Sequence, residues 1–273
     1  MREVVPETAA TVLVLREQPS TLEVLCVRRH PDLRAWGGAV AFPGGKVDPC
    51  DADPTIGSQA TSPHPRIFAF SDDRTVEFAC VVAAARELFE EAGLLAARGS
   101  FDARQLRALR LRYEDGQFRS LIQRAGIVLD LAQLQPVARW VTPPSQAVRF
   151  DARFYFMALP AGQEVFRIGQ ENTECFWSEP TEILERFERR DLDLVPPTQW
   201  MVYSLSKFRR LDDFSRFASR QPLRQVCPEC SRLDGGVHLV LPGHPEHSQP
   251  EWSLEGPTSY DLREGRFVLN WKS

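Results

Sequence analysis

A chain of 273 residues, 43% hydrophobic and 26% charged, has ordinary globular composition and enough apolar material for a sizeable core. Its formal net charge of −4 offers no basic field to recruit nucleic acid, and no apolar run is long enough to span a bilayer. The opening MREVVPETAATVLVL lacks a signal-peptide pattern, and six cysteines at 26, 50, 80, 175, 227 and 230 are not spaced as a secreted disulfide framework; a reduced cytoplasm is the expected compartment.

In chain order, ATVLVLRE (10–17) and TLEVLCVRR (21–29) read as two strands joined by the turn residues Gln18, Pro19 and Ser20. AVAFPGG (39–45) reads as a third short strand ending in a glycine pair. Residues 46–74 are polar and broken by prolines, which predicts a mobile, lid-like insertion without core residues. A strong helix follows from about Val76 to Ala92. Residues 102–124 carry a second helical pattern, interrupted at Asp115-Gly116. ARWVTP and ARFYFMALP read as strands. TEILERFERR reads as a helix entered through Ser178 and Pro180, and Pro196-Pro197 opens another through about Phe217. After Pro222 the composition shifts towards Gly, Pro and His, so residues 221–273 are expected to be an irregular extension beyond a main domain of 1–220. Strands and helices mix without regular βαβ alternation, which favours α+β or a layered α/β sandwich over a doubly wound sheet.

RELFEEAGLL, residues 86–95, crowds three glutamates into an apolar setting. On a helix, Val81, Ala85, Leu88, Ala92 and Leu95 make one apolar stripe, and Glu87, Glu90 and Glu91 fall on the far side. By itself that is a solvated acidic face. Like charges at i, i+4 repel, however, by a few tenths of a kcal/mol each, and a hard divalent cation would neutralise them. Arg86 stands four residues before Glu90 and can pair with it. Upstream, FPGGKVD supplies paired glycines, which let backbone approach a metal or phosphate closely.

Gly45 followed by Arg86-Glu87-Leu88-Phe89-Glu90-Glu91-Ala92-Gly93-Leu94 resembles the Nudix box, glycine … R-E-U-x-E-E-x-G-U with U apolar. The resemblance extends more weakly over roughly residues 8–210. It implies an α/β fold, an α/β/α sandwich around a mixed sheet, here with an insertion at 46–74 and a C-terminal extension. It also implies hydrolysis of a nucleoside diphosphate linked to another group, with Mg²⁺ or Mn²⁺ held by Glu87, Glu90, Glu91 and the Gly44 carbonyl. Glu87 is then a candidate base, and Arg86 a residue that orients the triad. The usual box has five residues between its glycine and its first glutamate, and seven more before the arginine. Counting back from Arg86, that glutamate falls on Phe78, with Glu77 one position out of register, so no residue is assigned to the role.

LCVRRHPDLRAWGGAVAFPGG, residues 25–45, resembles the motif of coenzyme A-cleaving Nudix enzymes, L-L-T-x-R-S-x3-R-x3-G-x3-F-P-G-G. Leu25, Arg29, Arg34, Gly38, Phe42, Pro43, Gly44 and Gly45 align without a gap, while Cys26, Val27 and His30 depart. The resemblance makes Arg29, Arg34, Phe42 and Gly45 candidate substrate-binding residues, and arginine forks suit phosphates. Coenzyme A or an acyl derivative is the leading substrate. ADP-ribose, NADH or another nucleoside diphosphate derivative is the enzymatic alternative, and a non-catalytic nucleotide-binding module is the alternative from another class. The expected partner is a small nucleotide substrate, without nucleic acid or membrane, and a homodimer is left open.

Two weaker candidates complete the reading. Glu171 and Glu174, in QENTECFW, lie where Nudix enzymes often carry a further acid ahead of a tryptophan, and read equally as solvated loop residues. Cys227 and Cys230 form a C-x2-C half-site for zinc, with His238, His244 and His247 following; VHLVLPGHP reads equally as a hairpin strand. Cys80 reads as core.

Overall fold

Alternation along the first strand sets the layering. In the computed structural model, which describes residues 4–33, 35–113, 116–166, 172–233 and 236–270, β1 spans Glu7–Glu17 and β2 Leu22–Arg29. Ala10, Val12 and Val14 of β1 enter one core and Leu13 and Leu15 the other, as a two-residue side-chain period requires. β1 is therefore buried on both faces and lies in the middle layer. The sheet is completed by β3 (Val40–Ala41), β4 (Gly44–Lys46), β5 (Gln135–Val141), β6 (Phe150–Ala158), β7 (Asn172–Ser178) and β8 (Gln225–Val226). Its order is β3-β2-β1-β6-β5-β8, with β4 beside β1 and β7 beside β2. The β1–β6 and β5–β8 pairs are parallel and the others antiparallel, so the sheet is mixed.

One core packs the sheet against α1 (Arg74–Ala92), α2 (Ala103–Arg110) and α3 (Phe118–Arg124), through residues such as Leu88, Leu106 and Phe118. The other packs it against α4 (Pro180–Glu188), α5 (Pro196–Leu205) and α6 (Leu211–Arg220), through Ile183, Trp200 and Phe214. This is the expected α/β/α sandwich. Where one helix is expected from Pro196 to Phe217, the chain breaks after Leu205 and restarts at Leu211. The break lets Phe208, Phe214 and Phe217 cluster, with ring centroids 5.2 to 5.9 Å apart. Glu179, not Ser178, occupies the N-cap of α4, and the Ser178 hydroxyl instead donates to Glu182 at 2.9 Å.

Residues 46–74 do not form the expected core-free lid. They make three 3-10 turns, each with proline in its first turn, at Pro49–Ala52, Pro54–Gln59 and Pro65–Ala69. Ile56, Ile67 and Phe70 are buried in the α1-side core. The Thr61 amide donates to the Leu129 carbonyl at 2.8 Å, and Arg66 reaches the carbonyls of Ala218 (3.0 Å) and Gln221 (2.8 Å). Single apolar residues set between prolines have no period to reveal them, yet each fills a core position.

The residues after 220 are also more regular than expected. β9 (Glu229–Leu233), β10 (Gly236–Val240), β11 (Ser259–Arg263) and β12 (Arg266–Leu269) form an antiparallel sheet of order β12-β11-β10-β9. Leu239, Leu254, Tyr260 and Leu269 share the core of Trp200. Gln199 donates to the Phe267 carbonyl at 2.7 Å, and the Tyr260 hydroxyl to the Pro196 carbonyl at 2.8 Å. The shift in composition at Pro222 marks no break in packing.

α1 is buried nearly all round, so its expected polar face does not exist as a solvated surface. Glu77, 0% exposed, accepts from Arg153 at 2.7 and 3.1 Å and from Ser71 at 2.6 Å. It ties the helix to β6 and takes no part in the glutamate triad. Glu77→Ala strands the Arg153 guanidinium without its main partner, a loss that costs about 3–5 kcal/mol for a buried pair. Urea unfolding should show that loss as a lowered midpoint with little change in slope; a loss below about 1 kcal/mol, the value of an exposed pair, would contradict the assignment.

Candidate active site

Gly45 stands directly behind the triad. A methyl group at Gly45 would lie 2.4 Å from a Glu87 carboxylate oxygen, and one at Gly44 would lie 2.4 Å from the Ala10 carbonyl. At Gly44 the clash is with backbone, so glycine is required there by contact, whereas a side chain at Gly45 would have to push the Glu87 carboxylate out of its place in the triad. β4 lies on β1, with Gly44 opposite Thr11 and Gly45 opposite Ala10, and this pairing brings the glycine turn against α1. The Gly44 amide donates to Glu91 at 2.9 Å. Gly44 thus meets the triad through its amide, while its carbonyl is the atom expected at the metal.

Arg86 organises the carboxylates. Only 3% exposed, it lies within 4 Å of four of them: Asp51 (3.0 Å), Glu87 (2.8 Å), Glu90 (2.9 Å) and Asp48 (3.8 Å). It also donates to the Lys46 carbonyl at 2.8 Å. Burial works against its charge, but the hydrogen bonds with Asp51 and the field of Glu87 outweigh this and hold the guanidinium protonated. Glu90 additionally accepts from the Tyr113 hydroxyl. Burial pushes the Glu87 carboxyl up to about 8, Arg86 opposing and Glu91 and Glu90 adding to the rise.

The partner that sequence reading missed is Asp51. It is 1% exposed and meets the Nε and Nη2 of Arg86 at 3.0 Å each, while the Asp48 amide donates to it at 2.8 Å. Asp51 follows Gly45 after five residues, which is the spacing of the first glutamate in the Nudix box. Counting forward from the glycine finds it; counting back from Arg86 crosses the inserted residues and lands on Phe78. The extra length therefore lies between Asp51 and α1.

The donor set fits a hard divalent cation. Four carboxylates share one arginine and Glu91 stands beside them, so acidic groups outnumber the cation among them, and their oxygens are the ligands a hard divalent cation takes. The carboxylates are turned onto Arg86, Tyr113 and the Gly44 amide, and among the described residues no three acidic, histidine or cysteine side chains converge as a ready metal cage.

Other candidates fare differently. Phe42, 3% exposed, belongs to the core on the far side of the sheet from α1, and is a packing residue, not a substrate contact. Arg29, half-buried at the end of β2, holds its own hairpin through Nε to the Ala35 carbonyl at 3.3 Å. Arg34 and Glu171 lie outside the described residues. Glu174 pairs with Arg28 at 3.2 Å and alternates along β7 with Cys175, which packs on the α1 side; it therefore faces away from the triad. The histidines expected to complete a zinc set with Cys227 and Cys230 are engaged elsewhere. His238 pairs with Asp261 at 2.9 Å, His247 meets the Cys227 carbonyl and not its sulfur, and His244 Nδ1 accepts from the Glu246 amide. Cys80 is buried core, as expected.

A mixed sheet between two helical layers, with the REUxEE helix backed by a Gly-Gly turn, defines a Nudix hydrolase. Residues 62–208 match the family model described as the NUDT19 Nudix domain, and the chain belongs to that family. A protein of Gallus gallus named acyl-coenzyme A diphosphatase NUDT19 is 31% identical, over 86% of this chain and 78% of that one. Its Homo sapiens namesake is 27% identical, over 87% and 75%. Among solved structures, a Nudix hydrolase from Alicyclobacillus acidocaldarius is 31% identical, with a TM-score of 0.66 over 77% of this chain and 95% of that one.

Proposed function

We propose that this protein is a diphosphohydrolase that cleaves coenzyme A or acyl-coenzyme A to the phosphopantetheine product and 3′,5′-adenosine bisphosphate. The observation that carries the chemistry is the carboxylate cluster around Arg86, set against a glycine turn with no room for a side chain. The substrate class is supported by the names of the relatives and by the aligned stretch 25–45.

Glu87, Glu90 and Glu91 would hold Mg²⁺ or Mn²⁺, which when bound polarises the diphosphate and lowers the pKa of a water. Arg86 holds Glu87 through Oε1 and Glu90 through Oε2, while the other Glu90 oxygen accepts from the Tyr113 hydroxyl, so the guanidinium sets the spacing of the two carboxylates. Glu87, where its carboxylate is not fully engaged by metal, is the group to take the proton of the attacking water. Arg29, on its hairpin, and Arg34 serve the diphosphate. The six free cysteines suit a reducing cytoplasm.

The test is kcat/KM for coenzyme A, ADP-ribose and NADH, with Mg²⁺ and with Mn²⁺. Coenzyme A should lead by at least about tenfold, the value of one charged phosphate contact. A higher value for ADP-ribose or NADH would transfer the assignment to that substrate, and absence of turnover on all three would favour a binding module.

A further inference from the structure

α2 carries an arginine stripe that no acid among the described residues neutralises. Among the described residues, Arg104, Arg107, Arg110 and Arg112 make no ion pair, in a protein whose net charge is −4. Arg110 is the singular member. Its Nε is buried without a hydrogen-bond partner, although buried donors are nearly always satisfied. Its guanidinium lies over the Tyr113 ring, 4.7 Å from the centroid, and the Tyr113 hydroxyl is bonded to Glu90 of the triad. An under-satisfied cation therefore stands one aromatic ring away from the reacting centre. The ring holds the guanidinium in place by cation–π attraction and leaves its fork to bind an anion.

Resting on the proposed substrate class, we infer that Arg110 binds a phosphate monoester of the substrate that is not cleaved, namely the 3′-phosphate of the adenosine half. The width of the Tyr113 ring separates Arg110 from Glu90, so its partner flanks the scissile diphosphate. Arg107, over the Phe166 ring at 5.6 Å, extends the same positive rim.

The test is calorimetric binding of 3′,5′-adenosine bisphosphate and of 5′-adenosine monophosphate without metal, and then the kcat/KM ratio of coenzyme A to dephospho-coenzyme A. The wild type should bind the bisphosphate roughly ten- to a hundredfold more tightly, as a charge-assisted bond allows. Arg110→Gln, which keeps a planar group over Tyr113, should remove most of that preference, and Arg110→Lys should retain part of it. The kinetic ratio should fall by the same factor. No wild-type preference for the bisphosphate, an unchanged preference in Arg110→Gln, or equal weakening of both nucleotides would overturn the assignment. If wild-type enzyme does not cleave coenzyme A, the substrate reading fails, while the binding comparison still decides the role of Arg110.

Discussion

Glu90→Gln and Glu91→Gln should each lower kcat by about 100-fold or more while the protein stays folded. Loss of a residue merely supporting a metal ligand commonly costs about 10- to 100-fold, and loss of a ligand itself exceeds that. Glutamine keeps size and one acceptor oxygen but removes the charge that a divalent cation needs. At Glu91 the remaining oxygen can still accept from the Gly44 amide, so the turn holds. At Glu90 the contacts from Arg86 and Tyr113 are weakened rather than erased. Mg²⁺ or Mn²⁺ should raise the wild-type melting temperature by binding the native state, and should raise it less in either variant. Near-normal turnover in both would remove the triad from the mechanism.

The second large effect is expected at Asp51. Asp51→Ala removes the bidentate partner of an arginine that is 3% exposed, and breaking such a buried pair costs about 3–5 kcal/mol. For a domain of this size each kcal/mol shifts the melting temperature by about 2–4 °C, so a fall of roughly 10 °C is expected. Turnover should fall as well, because Arg86 loses the contact that aims it between Glu87 and Glu90. Asp48→Ala is the comparison: it lies 3.8 Å from the same guanidinium with half its side chain in solvent, and its loss should cost less than about 1 kcal/mol. Equal behaviour of the two variants would show that Asp51 is no anchor.

Asp51 also shows where reading the chain alone reaches its limit. The R-E-U-x-E-E-x-G-U helix and the Gly-Gly turn were legible because their spacing is local: one helix and one strand end each carry their residues in a fixed period. Asp51 keeps its spacing from Gly45, but it belongs with Arg86, and 34 residues separate the two. Arg110 and Tyr113 match no motif, since they meet the triad only through the docking of α2. The Cys227–Cys230 pair, conversely, has the local spacing of a half-site, but the histidines that follow are directed to other partners by the pairing of β9, β10 and β11.

By itself, the amino-acid sequence determined the chemical class of the protein, the strands and helices with a clear period, and the residues Arg86, Glu87, Glu90 and Glu91. Those features depend on neighbours three to seven residues apart, where geometry is set by helix pitch and strand pleat. Only the tertiary structure decided that α1 is buried all round, that residues 46–74 fill core positions, that Phe42 packs away from the site, and that Asp51 anchors Arg86. Each of these depends on which distant surfaces meet, and burial of isolated apolar or charged residues leaves no period along the chain from which it could be read.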